Sequence, residues 1–158
     1  MRLPLIALFT TAAIAAAVAQ HQGHGGHQPP AQAGASSYAE FTTRAIKALS
    51  QQQIDDLRAG RGMALALPAE LNSYPGPMHV LEHERALGLS ALQKGRMEAL
   101  MAGMRAEAVK AGEAAIEAER ALDRLFANGS ASEEALRAAV TGASQAHGEV
   151  RLIHLRTH

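Results

Sequence analysis

A helical repeat of apolar residues between Ser90 and Phe126 constrains this chain more than any other feature of its sequence. The apolar positions recur at intervals of three and four residues, which is the period of an α-helix and not that of a strand. A helix of about 37 residues at about 1.5 Å per residue is roughly 55 Å long, much longer than most helices of compact domains. The sequence therefore predicts an elongated helical body.

The same apolar period resumes from Ser132 to Arg156. Between the two segments, Asn128-Gly129-Ser130 predicts a helix end, and Ser130 or Ser132 is the N-cap of the next helix. Two helices joined by so short a loop lie antiparallel. We therefore expect an all-α fold in which short N-terminal helices precede a long antiparallel helical hairpin. Because an Ala-rich stripe buries little area, either a second copy of the chain or the extra N-terminal helices are expected to complete the core, and we expect a homodimer.

The N-terminus has the pattern of a secretory signal peptide. Arg2 precedes an apolar run that ends in Ala17-Val18-Ala19, which suits cleavage after residue 19. The alternative, a membrane anchor, is weaker because the run is short for a span. The sequence thus predicts a signal peptide at residues 1–19 and a periplasmic protein. With no cysteine in the chain, any metal ligands are nitrogen, carboxylate or thioether groups.

Residues 20–37 are rich in His, Gly, Gln and Pro and have no periodicity, so we expect a disordered tail. His21, His24 and His27 make this tail either a flexible metal collector or a solvated linker in which histidine is tolerated. The helical-hairpin domain is then residues 38–158. Fifteen basic and fifteen acidic residues balance across the chain, so no net charge favours nucleic acid.

Short helices are predicted ahead of the hairpin, over residues 38–48, 63–71 and 78–87. The motif Leu-Ser-x-x-Gln occurs twice, at residues 49–53 and 89–93. It predicts a capping box at each place, in which the serine and the glutamine satisfy each other's backbone N–H groups.

Two pairs of histidines at helical spacing could carry chemistry. His79 and His83 are four residues apart on the predicted helix before the hairpin, and His154 and His158 repeat that spacing at the C-terminus. The antiparallel register puts His154 opposite roughly Arg105. The two pairs are therefore predicted to meet at the base of the hairpin, where a metal ion could bind them. His147 is expected to be an interface histidine instead.

Three methionines and an acidic residue of the long helix lie near the same base. They are Met97, Met101, Met104 and Glu98. Imidazole with carboxylate suits Zn, Ni or Co, whereas a thioether ligand shifts the preference toward Cu(I). The methionines are better explained as core residues, because a methionine stripe at helical spacing packs in a core more often than it binds metal. No motif for a nucleotide or another organic cofactor is present.

One motif points to a different activity. Residues 79–83 read His-x-x-Glu-His, the signature of inverted zinc peptidases, in which glutamate activates a metal-bound water. Such an enzyme needs a third ligand and a substrate cleft, for which a thin helical hairpin offers little room. We therefore expect no enzyme and keep a zinc hydrolase as a remote alternative.

Taken in order, these features resemble the Spy/CpxP superfamily of periplasmic stress proteins, whose hallmark is a repeated Leu-Thr-x-x-Gln motif. The stretch from Pro75 to Glu82, followed by residues 87–90, looks like its heavy-metal-responsive branch, which includes the ZraP and CnrX proteins. The resemblance implies a dimeric helical hairpin that binds Zn, Ni, Co or Cu. Its metal ligands would be His79, His83 and His154, with His158 in place of a methionine and with Glu98 or Met101 nearest to the acidic ligand.

Two functions follow from these patterns. The first is a metal sensor or buffer, which in this family can involve a membrane-bound sensor kinase or anti-sigma factor. The second is an ATP-independent holdase chaperone that shields unfolded client proteins on a methionine-rich surface. The paired histidines favour the first, because a chaperone alone does not require them.

Overall fold

The computed structural model of the protein describes residues 38–158, and all regular structure in this range is helical. The predicted signal peptide and histidine-rich tail lie outside the described residues. A 3-10 turn at Ala39–Phe41 comes first. The α-helices that follow are α1 (Gln51–Arg58), α2 (Leu67–Glu70), α3 (Pro77–Glu82), α4 (Glu84–Leu87), α5 (Ala91–Ala127) and α6 (Glu133–Leu155).

Helices α5 and α6 form the predicted hairpin and pack along each other. Helix α5 begins at the predicted capping box, where the Ser90 hydroxyl accepts from Gln93 N–H and the Gln93 side chain accepts from Ser90 N–H. Ser132 is the N-cap of α6. Between the helices, Gly129 adopts a φ of 64°, a left-handed conformation that glycine takes without steric cost. The all-α hairpin is thus confirmed.

Helix α1 packs on the hairpin and supplies much of its core. It begins at the other predicted capping box, at Ser50 and Gln53. At Gly112 of α5, the backbones of α1 and α5 come so close that a β-carbon on Gly112 would overlap the Leu57 carbonyl. The buried cluster joins this segment to both long helices and consists of Ile46, Leu49, Ile54, Leu57, Ala115, Ile116 and Val150. The N-terminal segment, one of the two expected sources of the core, therefore packs on the Ala-rich face of the hairpin.

The chain around α1 runs antiparallel to α5. Lys47 N–H donates to Asp123, and farther along Arg58 pairs with Glu113. At the end of α1, the Arg105 side chain donates to the Ala59 carbonyl. This direction carries the chain from near the hairpin turn to the open end of the hairpin. Residues 61–87 therefore begin where α6 ends.

Two of the predicted short helices are less regular than expected. In place of a helix over residues 38–48 there is only the 3-10 turn, after which Thr42 and Thr43 bond to backbone carbonyls three residues back. Such local bonds compete with the helical ladder. In place of a helix over residues 63–71 there is only the short α2. Pro68 lies in the first turn of α2, where proline is tolerated but cannot extend a helix that starts earlier. Ala64 has a φ of 62°, which is not a helical conformation.

The predicted helix at residues 78–87 is divided at His83 into α3 and α4. His83 has φ −103° and ψ 17°, outside helical geometry. The break turns α4 so that Glu84 pairs with Lys94 of α5 at 2.7 Å, and Gly88 then ends α4 in a left-handed conformation. The sequence predicted that His79 and His83 lie on one continuous helix. The structure shows that they do not.

At the open end of the hairpin, Arg156 pairs with Glu107. The predicted register, which placed His154 opposite roughly Arg105, differs from this contact by about one helical turn along α5. None of the helices in residues 38–158 combines the length and the hydropathy needed to cross a membrane.

Candidate metal centre

The carboxylate of Glu70 lies between two imidazoles at the open end of the hairpin. Its Oε1 atom is 3.7 Å from Nε2 of His79 and 3.8 Å from Nε2 of His158. Glu70 is the last residue of α2, His79 is on α3, and His158 follows α6. Three separate segments thus bring one carboxylate and two imidazoles together.

The other nitrogen of each ring is held by a hydrogen-bond acceptor. Nδ1 of His79 is 3.0 Å from Oε2 of Glu82, one turn later on α3. Nδ1 of His158 is 2.8 Å from the carbonyl oxygen of Tyr74. The hydrogen bond to Glu82, reinforced by the negative charges of Glu82 and Glu70, raises the pKa of His79 above its ordinary value.

His158 is well anchored although it follows the last helix. Its side chain is only 10% exposed, and the ring lies over Gly76, where a β-carbon would be 2.6 Å from Cε1. The hydroxyl of Thr157 donates to the Ile153 carbonyl and extends the ordered end of α6. The loop before α3 therefore fixes His158 beside Glu70.

His154, one turn before His158, is the buried histidine of the group. It is 5% exposed, and its Nε2 has no hydrogen-bond partner among the described residues. Burial, followed by the positive charge of His158, lowers the pKa of His154. Gly62 lies against its ring, so this imidazole fills the gap between the loop after α1 and the end of α6.

The remaining predicted ligands lie elsewhere on this part of the molecule. His83 is exposed at the break between α3 and α4, Glu98 is exposed on α5, and Met101 is half-buried on the same helix. The contacts seen within residues 38–158 do not bring any of the three to Glu70. His147 lies at the helix interface as expected, with Nε2 2.9 Å from Glu119 of α5.

Glu70 is the functional candidate that the sequence did not reveal. It belongs to no metal-binding motif, and it precedes His79 by nine residues that include a break and a turn. Glu70 is found only in the three-dimensional structure, because the path of residues 71–76 brings α2 back to α3.

The group does not have the geometry of a formed metal site. No three His, Asp or Glu side chains within residues 38–158 are positioned to hold a metal ion as they stand. Ligands about 2.0–2.1 Å from a tetrahedral zinc ion are about 3.3 Å apart. The distances of 3.7 and 3.8 Å exceed this by a few tenths of an ångström, so small side-chain movements would bring the donor atoms of each pair to ligand spacing.

Comparison with protein-family models, curated proteins and solved structures finds no significant match to this chain. The functional argument therefore depends on the residues and their geometry.

Proposed function

We propose that this protein is a periplasmic metal-binding stress protein that senses or buffers a heavy-metal ion. The observation that carries the proposal is the approach of His79 and His158 to the same carboxylate oxygen. Imidazole nitrogen and carboxylate oxygen are the ligands that Zn, Co and Ni accept readily. The predicted signal peptide supports a periplasmic location for this function.

The proposal is tested by titrating Zn, Co, Ni and Cu(I) into the purified protein and measuring the heat of binding. His21, His24 and His27 are replaced by alanine so that the tail cannot bind metal. We expect one site with a Kd of about 1 μM or tighter, equivalent to about 8 kcal/mol. His79→Ala should remove this site and His83→Ala should leave it. If none of the four ions binds, the proposal is wrong.

Whether the protein senses or buffers depends on a partner. A buffer acts alone, whereas a sensor passes the signal to a membrane-bound sensor kinase or anti-sigma factor. Pull-down of an envelope protein that depends on added metal would favour a sensor. Binding of metal without any such partner would favour a buffer.

A second candidate function is a holdase chaperone, and the exposed apolar residues of the open end favour it. Eight of the twelve large apolar side chains exposed in the described part of the chain lie between residues 63 and 100. Leu71 is 79% exposed and Leu92 is 66% exposed. Such a surface would bind apolar segments of unfolded clients or a second copy of the chain. A model client whose aggregation is unchanged by an equimolar amount of the protein would exclude the holdase.

A zinc hydrolase remains the remote alternative. In that chemistry the glutamate of His-x-x-Glu-His activates a metal-bound water. Here Glu82 instead binds Nδ1 of His79, and the helix breaks at His83. Peptide hydrolysis by the zinc-loaded protein that is lost in Glu82→Gln would favour this alternative over the metal sensor or buffer.

A further inference from the structure

A groove open to solvent runs between the segment around α1 and helix α6. Its volume is about 440 Å³, which is within the range of small-molecule sites. Its apolar lining is entirely aliphatic or thioether and consists of Leu49, Leu57, Met63, Leu65 and Val150. Three of these side chains, Leu49, Leu57 and Val150, belong to the buried core. The base of the groove is therefore continuous with the core of the protein.

Three polar side chains also line the groove, namely Gln53, His147 and Arg151. Oε1 of Gln53 accepts from Ser50 N–H in the capping box, so the free group of this side chain is its Nε2 amide, a donor. Nε2 of His147 is bound to Glu119. Arg151 is exposed and makes no ion pair or hydrogen bond with its side chain within residues 38–158. Gln53 and Arg151 thus offer the groove only donors, and one of them is a permanent cation.

The turn from Gly62 to Leu65 brings a methionine to the groove at a conformational cost. Leu65 N–H donates to the Gly62 carbonyl at 2.7 Å, and Met63 and Ala64 between them have φ of 44° and 62°. Turns of this hand favour glycine, asparagine or aspartate, and other residues are strained in them. Strain of this kind occurs most often at ligand sites. Met63 supplies the groove with a flexible side chain that adapts to the shape of an apolar ligand.

We propose that this groove binds the acyl chain of a fatty acid, with Arg151 and the Nε2 amide of Gln53 binding its carboxylate. An acyl chain has no polar groups, so it leaves none unsatisfied against an aliphatic lining. A carboxylate only accepts hydrogen bonds, which matches the two donors and the charge of Arg151. A peptide segment would bring N–H groups as well as carbonyls, and Gln53 and Arg151 offer no free acceptor to them.

This site goes beyond the proposed metal-binding function and does not depend on it. Glu70, His79 and His158 are not among the residues that line the groove. Metal binding and acyl-chain binding are therefore tested separately.

Gly148 allows the groove to be filled without disturbing the fold. It lines the groove on α6, and a β-carbon added to it meets no atom within 4 Å beyond the neighbouring turns of its own helix. Gly142 has the same free space on α6 but does not line the groove. Gly148→Leu therefore places a side chain in the groove, and Gly142→Leu makes the same change outside it.

The test measures the binding of dodecanoate to the purified protein by isothermal titration, at concentrations below those at which dodecanoate forms micelles. We expect a Kd of about 100 μM or tighter. Gly148→Leu should weaken binding about 10-fold or more, and Gly142→Leu should leave it unchanged.

A second pair of variants tests the recognition of the carboxylate. Arg151→Gln should weaken dodecanoate binding about 5- to 10-fold, because a charge-assisted hydrogen bond is lost. Arg124→Gln is the matched control, since Arg124 of α5 is also exposed and its side chain has no ion pair in the described part of the chain. Dodecyltrimethylammonium, which has the same chain and a cationic head, should bind about 10-fold or more weakly than dodecanoate.

Three results would overturn the inference. They are no binding of dodecanoate, equal affinities of Gly148→Leu and Gly142→Leu, and equal affinities for dodecanoate and dodecyltrimethylammonium. An acetylated and amidated Leu-Val-Leu-Ala peptide that displaces dodecanoate as well as decanoate does would assign the groove to peptides instead. Circular dichroism verifies the fold of each variant. Should Gly148→Leu fail to fold, Arg151→Gln must weaken binding for the inference to hold.

Discussion

The imidazole of His158 lies over the α-carbon of Gly76, where a β-carbon would come within 2.8 Å of Nε2. Gly76 is also the N-cap of α3, with a φ of −74° that any residue adopts. A side chain at this position would therefore have to displace the neighbouring ring, although the backbone conformation itself does not call for glycine. This contact couples the position of a candidate ligand to a residue that has no side chain of its own.

Replacing Gly76 by alanine should displace His158 without removing any ligand. We expect Zn affinity to fall about 10- to 100-fold, the range seen when groups that orient a ligand are lost. Gly95→Ala is the matched control, because no atom beyond the neighbouring turns of α5 itself lies within 4 Å of the added β-carbon. Equal Zn affinities of the two variants in calorimetry would show that His158 is not held at the metal site by this contact.

Acidification should destabilise the metal-free fold through His154. Because the pKa of this buried imidazole is lowered, the unfolded chain takes up a proton below about pH 6.5 that the folded protein resists. Above that pH, His154 therefore does not change the free energy of unfolding. As the pH decreases from there toward the lowered pKa of His154 in the folded protein, the free energy of unfolding falls. The raised pKa of His79 acts in the opposite direction.

The contribution of His154 is therefore measured as a difference between proteins. Urea unfolding in the presence of a chelator should show a smaller loss of stability from about pH 7.5 to about pH 5.5 in His154→Leu than in the parent. Identical pH dependence of the two proteins would contradict the assignment of a buried neutral imidazole at this position.

Two glycines of α5 should respond oppositely to alanine. At Gly112 the β-carbon would overlap the Leu57 carbonyl, so Gly112→Ala should cost about 1–3 kcal/mol by forcing α1 away from α5. At Gly103 no atom lies within 4 Å, and Gly103→Ala should stabilise the helix by about 0.5–1 kcal/mol. Chemical denaturation measures both. A neutral Gly112→Ala would mean that α1 does not pack on α5 this closely in solution.

The proposed homodimer should use the part of α5 that extends past α6. Helix α5 has 37 residues and α6 has 23, so about 20 Å of α5 lies beyond the end of its partner. Leu92 and Leu100 are exposed on this extension. Replacing both by glutamate should convert a dimer to a monomer in sedimentation experiments, whereas Leu152→Glu on α6 should not. A parent protein that sediments as a monomer would exclude the dimer.

The hairpin could be predicted because its information is local. The apolar period, the Asn128-Gly129 break, the capping box at Ser90 and the N-cap at Ser132 each depend on residues within a few positions of one another. The same rules were less accurate for the three short helices predicted over residues 38–48, 63–71 and 78–87. There Pro68, the threonine side-chain bonds and the pairing of Glu84 with α5 override weak helical preferences.

The candidate site could be predicted only in part. Helical spacing identified His79 and His158, but it also paired them with His83 and His154, whose surroundings are different. Glu70 could not be found in this way, because its distance from His79 depends on the path of the loop through Tyr74 and Gly76. Sequence spacing reports which side chains share a helix and does not report how separate segments meet.

The most direct test of the account is a crystal structure of the zinc-soaked protein, with diffraction data recorded on both sides of the zinc absorption edge. The account predicts an anomalous peak bounded by Oε1 of Glu70 and by Nε2 of His79 and of His158, each about 2.0–2.2 Å from the ion. A map with no peak among these three atoms, or with zinc only at His83 or at other surface residues, would contradict it.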